Sequence, residues 1–526
     1  MRKKLLKTLM AVCVASFAFA IASCDLGTEE TSSEPSLAFE LREDSYAVVG
    51  IGTYDKGTLE IPSEYNGKPV TVIGASAFEK NGEIGTVVIP NSVTVIEENA
   101  FANCSNLTKV ELGGKVTDIE ANAFTYCRKM KEVNGFDSVN SIGPSAFEWC
   151  SALKKVEFTD ELQMISEKAF EECWALKTVT VGKSLEAIGP RAFYDCTSLQ
   201  GFTIPDGAKT DIASEAFYGC EAMDYVYLGN DVVGIGKSAF QSCAMLRDIV
   251  LGDGIISIGE SAFEACRKMH QITFGTNLRE IGKGAFNKCQ RLREVYNRSA
   301  LTINVGEKND EGTINGNLGR YIYYVRTEGQ PTRISKDENG LIYYTEGNKK
   351  ELISVELKDN VELVVPDDVT DIGSYACYNE QNITGVVIGD GCKTIGYRAF
   401  CNSYRIGNVI LGKNVEKIAD EAFYHNVYID WVVVGNKLTK VGEKAFAQKV
   451  VAEEEEEETI PATYKFVYFM GTEKEWDDIR YGNVFADGVN EPLLAISVTV
   501  AYYTEEEPTE SGKYWHYVDG VPTMWD

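Results

Sequence analysis

The phrase Ala-Phe, two residues, then Cys appears at Ala100-Phe101 with Cys104, and again 23 positions later at Ala123-Phe124 with Cys127. The phenylalanine recurs at 78, 101, 124, 147, 170, 193, 217, 240, 263 and 286, always 23 residues apart except for a step of 24 before Phe217. After a gap the spacing resumes with Cys377 in the phenylalanine slot, then Phe400, Phe423 and Phe446. A fixed period of this length defines a repeat architecture, and each residue has to be read by its place in the period.

Counted from Phe101, the apolar positions of one copy are Leu107, Val110 and Leu112, followed by Ile119 before the next phenylalanine. Residues 107–112 end in period-2 alternation, which predicts a short strand with one buried face. Pro90, Gly113, Pro205, Gly229 and Gly252 follow that strand in their copies and turn the chain out of it. The segment with Ile119, Ala123 and Phe124 is expected behind the strand, as a turn or short helical piece. One copy makes one coil. A lone coil buries too few apolar side chains to offset the entropy of ordering its backbone, whereas stacking covers both its faces and completes the strand ladder. The expected product is a long curved surface rather than a pocket.

The strand L-x-x-V-x-I followed by I-G-x-x-A-F-x-x-C resembles the BspA-like leucine-rich-repeat proteins of bacterial surfaces. The resemblance covers most of residues 60–446 and implies a right-handed solenoid with a parallel sheet on its concave side. It also implies a secreted or surface-anchored protein that engages host or neighbouring-cell partners. Two local departures stand out: Gly135 occupies a strand position that is otherwise apolar, and the coil ending at Phe217 is one residue long.

Residues 1–23 read as an export signal, with Arg2, Lys3, Lys4 and Lys7 ahead of an apolar run. Ile21-Ala22-Ser23-Cys24 resembles the lipobox of bacterial lipoproteins, which makes Cys24 the expected lipidation point; an uncleaved membrane anchor is the alternative. No later stretch offers the roughly 18–20 apolar residues of a spanning helix. Residues 24–36 are polar and acidic, as in a flexible tether. The expected organisation continues with a β-rich cap at 37–74, a first array at 75–296, an interruption and second cap at 297–372, a second array at 373–452, and an acidic insertion with a β-rich C-terminal cap at 453–526. The run Glu453 to Glu458 reads as a solvated insertion loop, with weak calcium binding as the alternative.

Little in this chain points to catalysis. A formal net charge of −28 sets nucleic-acid binding aside, since that affinity rests on neutralising phosphates. Nine cysteines, from Cys104 to Cys289, share the slot three after the phenylalanine. Each interior one has two equivalent neighbours, so they are expected as buried reduced thiols acting as small apolar side chains. A linear ladder does not converge on a tetrahedral metal site. Whether Cys377, Cys392 and Cys401 pair is left open. The histidines His270, His425 and His516 read as structural or surface positions. Ser76, Ser145, Ser238 and Ser261 recur in Ser-Ala-Phe without a nucleophile elbow or partnered base. No metal or cofactor is expected, and the expected protein is not an enzyme; an enzymatic activity, the third alternative, would require the joint or the tail to carry its site.

Residues eight and ten after each phenylalanine point away from the core. In the first array the eighth-residue row opens Thr86, Lys109, Glu132, Lys155 and Thr178, a solvated face. Further on, Tyr225, Tyr227 and Tyr296 form a more aromatic stretch of the kind enriched at contacts. In the second array Val387, Ile410 and Val433 occupy successive coils beside Trp431, an apolar strip that marks an interaction site or is covered by the aromatic tail. The expected function is surface binding or adhesion to a host or cell-envelope protein or glycan, with a structural envelope role as the alternative.

Overall fold

The computed structural model describes residues 37–52, 57–303, 321–450, 458–460, 465–481, 484, 499–509 and 514–525. Cys24 and the glutamates at 453–457 lie outside the described residues.

The chain winds into a parallel β-solenoid of about 16 turns at the 23-residue spacing. Each coil has three hydrogen-bonded sides. The first is the expected strand: Thr86–Val88, Lys109–Glu111 and Glu132–Asn134 pair in parallel, with the central Val87, Val110 and Val133 buried.

The second side corrects the expectation of a turn or helical piece at Ile119. Asp118–Ile119 is a two-residue strand, one of nine from Val95–Ile96 to Glu280–Ile281 that, with four strands of the N-terminal segment, make one sheet of 13 strands. A strand of two residues shows no periodicity, so the sequence pattern passes over it.

The third side is made of turns around the phenylalanine. Asn99 and Asn103 flank Phe101 with φ of 58° and 61°. The N–H groups of Asn99, Phe101 and Asn103 donate to the carbonyls of Ala121, Ala123 and Thr125 in the next coil at 3.0, 2.7 and 2.8 Å. The same left-handed pair recurs as Ser145 and Trp149, Lys168 and Glu172, and Arg191 and Asp195. Left-handed backbone costs a non-glycine residue roughly 1–2 kcal/mol. Turning alternate N–H groups onto the neighbouring coil offsets that cost. The four serines of Ser-Ala-Phe all sit in this slot, with φ of 53° to 54°, so their recurrence has a backbone cause.

Inside the coils, Phe78 to Phe286 form a continuous stack with successive ring centroids 4.9 to 5.4 Å apart. The cysteines beside it are buried and free, and so are Cys377, Cys392 and Cys401. They do more than fill apolar space. Cys127 Sγ–H donates to Phe101 O at 3.1 Å and Cys173 to Phe147 O at 3.2 Å, and the pattern repeats along the ladder. In the second array Ser403 and Asn426 take this slot and donate to Cys377 O and Phe400 O at 2.8 and 2.9 Å. In these coils the slot holds a small hydrogen-bond donor; Glu380, three after Cys377, is the exception and pairs with Lys268.

Both local departures are accommodated. Gly135 has φ of 92° and lies so close to Leu112 that a Cβ would sit 2.4 Å from its carbonyl oxygen. That bend lets the following Phe136 enter the core, edge-on to Phe147 and Phe158. The extra residue before Phe217 is absorbed at Thr210, whose buried hydroxyl donates to Leu185 O at 2.6 Å.

Each array begins with an antiparallel hairpin: Leu37–Arg42 with Ser45–Ile51, and Leu341–Glu346 with Lys349–Val355. The second strand of each pairs in parallel with the next strand of the second side. The two arrays meet through buried charge. Arg293 lays its guanidinium on Glu351, with Nη2 2.9 Å from Oε1 and Nε 3.2 Å from Oε2, both side chains almost fully buried. Arg291 donates to Tyr375 O at 2.7 Å and to Ser354 Oγ at 2.9 Å. Lys268 pairs with Glu380 at 2.7 Å.

The tail departs from an all-β reading. It contains the helix Glu473–Tyr481, which buries Trp476 and Ile479. Thr472 and Glu475 form its capping box: Glu475 N donates to Thr472 Oγ1 at 3.3 Å and Thr472 N to Glu475 Oε2 at 2.8 Å.

Candidate binding surface

Strand alternation turns residues eight and ten after the phenylalanine outward on every coil. Early in the first array these rows carry Lys109 with Glu111 and Lys155 with Glu157, each pair 2.6 Å apart and largely exposed. Exposed pairs of this kind add little stability, and they keep the face solvated.

The character changes at Tyr225–Leu228 and Asp248–Leu251, which pair with Tyr225 opposite Asp248 and Tyr227 opposite Val250. Tyr225 is 47% exposed and Val250 51%. The Tyr225 ring lies over the preceding rung, where a Cβ on Gly201 would come within 2.1 Å of it. Glycine at 201 is therefore what lets the ring lie against the sheet. Tyr227 is tied down by Asp206, its hydroxyl 3.3 Å from both carboxylate oxygens, and the carboxylate raises the phenol above its ordinary value. Tyr296 is not part of this patch. Its ring is covered by the Arg326 guanidinium at 3.9 Å, and Arg326 is held by the buried Glu294 at 2.5 Å.

The apolar strip of the second array is not a free surface. Val387, Ile410 and Val433 stand on successive rungs as expected, and the same row continues into the tail as Tyr468 and Ala501. Val433 is fully buried, packed with Tyr468, Ala501 and Trp515, while Ile410 and Trp431 are partly buried against the same cluster. Trp515 Nε1 donates to Phe469 O at 3.1 Å, and its ring meets Tyr468, Tyr503 and Tyr517 edge-on. Burial, then Tyr503 and Asp390, push the Tyr517 phenol up to about 12, and Tyr517 and Met524 of the hairpin Tyr514–Val518 with Val521–Met524 pack on the Val433 cluster. Of the two occupants the sequence left open, the tail is the one in place. Val433 as a ligand contact is corrected by its burial, and Val387 remains half-buried at the strip's open end.

The histidines divide. His270 is buried near the junction of the arrays, and burial lowers its pKa. His516 stacks on Trp525 at 3.7 Å. His425, read from sequence as a position of the repeat, lines a cavity of about 370 Å³ with Tyr378, Arg398, Cys401, Asn402 and Lys444. Among the described residues no cluster of His, Cys, Asp or Glu is arranged to hold a metal ion, and no helix is long and apolar enough to cross a membrane.

Stacked coils with one open strand face and thiols buried in hydrogen bonds define a solenoid of the leucine-rich-repeat class. The BspA type leucine rich repeat region matches residues 71–200, 186–307 and 356–456, more than half of the chain. The protein belongs to this family, whose members are typically surface-exposed bacterial binding proteins without catalytic activity. Among solved structures, a leucine-rich repeat protein from Bacteroides ovatus is 20% identical, with 90% of this chain and 100% of that one covered and a TM-score of 0.44. A leucine rich cell surface protein from Faecalibacterium prausnitzii is 18% identical, with 87% and 99% covered and a TM-score of 0.30. No curated protein sequence matches the chain.

Proposed function

We propose that the protein is an exported, lipid-anchored surface protein that attaches its cell to a protein or glycan of a host or neighbouring cell. The observation that carries this reading is the uncovered patch of Tyr225 and Val250 on the strand side of the first array. Aromatic side chains dominate contact energies, and a ring already laid on a rigid rung loses little freedom on binding. The lipobox resemblance at Cys24 supports attachment at the membrane, with the solenoid projecting from the tether.

The test is binding of the full chain to immobilised host matrix proteins and to envelope polymers purified from its own cell. Tyr225→Ala, alone or with Val250→Ser, is expected to weaken matrix binding about 30-fold, the equivalent of about 2 kcal/mol at a contact anchor. Binding to matrix proteins that is indifferent to both substitutions refutes the patch as the adhesive surface. Binding to envelope polymers alone supports the structural envelope role instead.

A further inference from the structure

The residue seven after the phenylalanine leads into each strand of the first array. Basic side chains occupy this column in two stretches, Lys131, Lys154 and Lys177 on three successive coils and Arg247, His270 and Arg293 on three later ones, with Gln200 and Asp224 between them. The later stretch is covered from within the chain by the strand Lys349–Val355 and the Glu356 that follows it. Glu351 takes Arg293 in the bidentate pair already described, and Ser354 Oγ accepts from the adjacent Arg291. Glu356, held by Lys336, stands 3.8 Å from Arg247, which also reaches Asp224 and Asp248. His270 is buried between the two arginines. An extended segment thus lays carboxylates along the column from Arg293 to Arg247, two rungs, about 10 Å at ~4.8 Å per rung.

The earlier stretch is the same column without a cover. Lys131, Lys154 and Lys177 are exposed and make no ion pair among the described residues. Lys154 N donates to Lys131 O at 3.4 Å and Lys177 N to Lys154 O at 2.9 Å, so the three stand in line on neighbouring rungs. Like charges facing each other across rungs destabilise a sheet. A chain with 79 acidic residues against 51 basic ones has the means to avoid this. The next strand positions do avoid it, with Lys109 on Glu111 and Lys155 on Glu157. Residues 128–134, 151–157 and 174–180 together carry six Lys or Arg and only two carboxylates. Of these, Glu157 belongs to Lys155 and Glu132 stands opposite Lys109. Three lysines in line are left with no carboxylate in contact.

We propose that Lys131, Lys154 and Lys177 seat an extended acidic segment of a partner protein, laid along the column as Lys349 to Glu356 is laid on Arg247 to Arg293. Alternate side chains of an extended strand share one face ~6.6 Å apart, within reach of long lysine side chains on rungs ~4.8 Å apart. The surface uses no residue of the Tyr225 patch, so either can fail alone. The test is fluorescence anisotropy of a labelled peptide of alternating Glu and Thr, titrated with the full chain beside its Gln and Thr counterpart and a sulfated dextran. In about 0.15 M salt, charges more than ~8 Å away are screened and contacts are what remains. The Glu peptide is expected to bind at least about tenfold more tightly than the Gln peptide, the sum of three modest ion pairs. Lys131→Gln with Lys154→Gln and Lys177→Gln is expected to remove that advantage, and to melt no lower than the parent because it relieves the in-line repulsion. Lys183→Gln with Lys237→Gln and Lys413→Gln takes the same charge from lysines that already have carboxylate partners, and is expected to leave binding within about twofold, since these sites offer no open cation. The proposal is overturned if the two peptides bind equally or not at all, binding of the sulfated dextran alone included. It is overturned equally if the folded first triple variant binds like the parent, or if the second loses as much as the first.

Discussion

The cysteine slot gives a test whose outcome turns on sign. Cys173 Sγ–H donates to Phe147 O at 3.2 Å from a fully buried position. Cys173→Ala removes about one methylene's worth of apolar burial, ~0.8 kcal/mol, and leaves a small cavity worth a few tenths of a kcal/mol. It also removes a hydrogen bond of about 0.5 kcal/mol, the low end for a weak thiol donor. The expected loss is therefore about 1.5–2 kcal/mol. Cys173→Ser keeps a donor, as Ser403 does at the same slot with its 2.8 Å bond, and should cost about 1 kcal/mol or less. If the thiol were only a small apolar filler the order would reverse, because an unpartnered buried hydroxyl costs about 1–3 kcal/mol. The assay is urea unfolding, with the denaturant slope checked because long repeat arrays can lose cooperativity. Exchange of the Phe170 amide, which bonds to Ala192 O across the next coil at 2.8 Å, reports the same site locally. Serine more destabilising than alanine refutes the donor reading.

Two other outcomes follow from burial. The ladder thiols from Cys127 to Cys289 are raised by burial, Cys289 up to about 12, whereas a thiol in the unfolded chain titrates near 8.5. Their contribution to stability is intact below about pH 8.5 and falls as pH rises toward 12, because the unfolded state ionises first, by up to about 1.4 kcal/mol per pH unit for each thiol; denaturation midpoints that stay flat to about pH 10 contradict it. Trp515→Ala should cost about 3–5 kcal/mol and bare Val433 and Tyr468, read as a lower melting temperature and as self-association by light scattering; unchanged stability rules out the tail as the cover.

The solenoid was legible because its signal is repeated: Phe101, Cys104, Val110 and Ile119 recur in register and outweigh any single departure. Asp118–Ile119 was not legible as a strand, since its two residues are followed at once by left-handed turns. Those turns have only a weak sequence signature. Asn99, Asn103 and Asn122 suit left-handed backbone, but Lys168, Arg191 and Trp149 hold the same positions, so the neighbouring coil decides the conformation. The helix Glu473–Tyr481 did have a local signal, Thr472 three residues before Glu475, hidden among aromatic residues that read as strand. The line of Lys131, Lys154 and Lys177 was also findable. Aligning the copies by their phenylalanine slot sets all three seven residues after it, but reading only the rows at eight and ten passes over them.

The apolar strip shows how the outward rows report what lies over them. Ten residues after the phenylalanine, the early first array carries Glu111, Asn134, Glu157 and Thr180, polar side chains on a face that nothing among the described residues covers. In the second array the corresponding row runs Val364, Val387, Ile410 and Val433 and goes on into the tail as Tyr468 and Ala501. Exposure along it falls from 58% at Val364 to 0% at Val433 and Ala501. Apolar side chains facing outward on consecutive rungs would be costly in water, and they appear where the Trp515 hairpin lies on them. The second array's strand face is thus in large part an internal interface that secures the tail. Its apolar character follows the tail residues packed on Val433, Ile410 and Trp431, and fades toward Val364, where that cover is absent among the described residues.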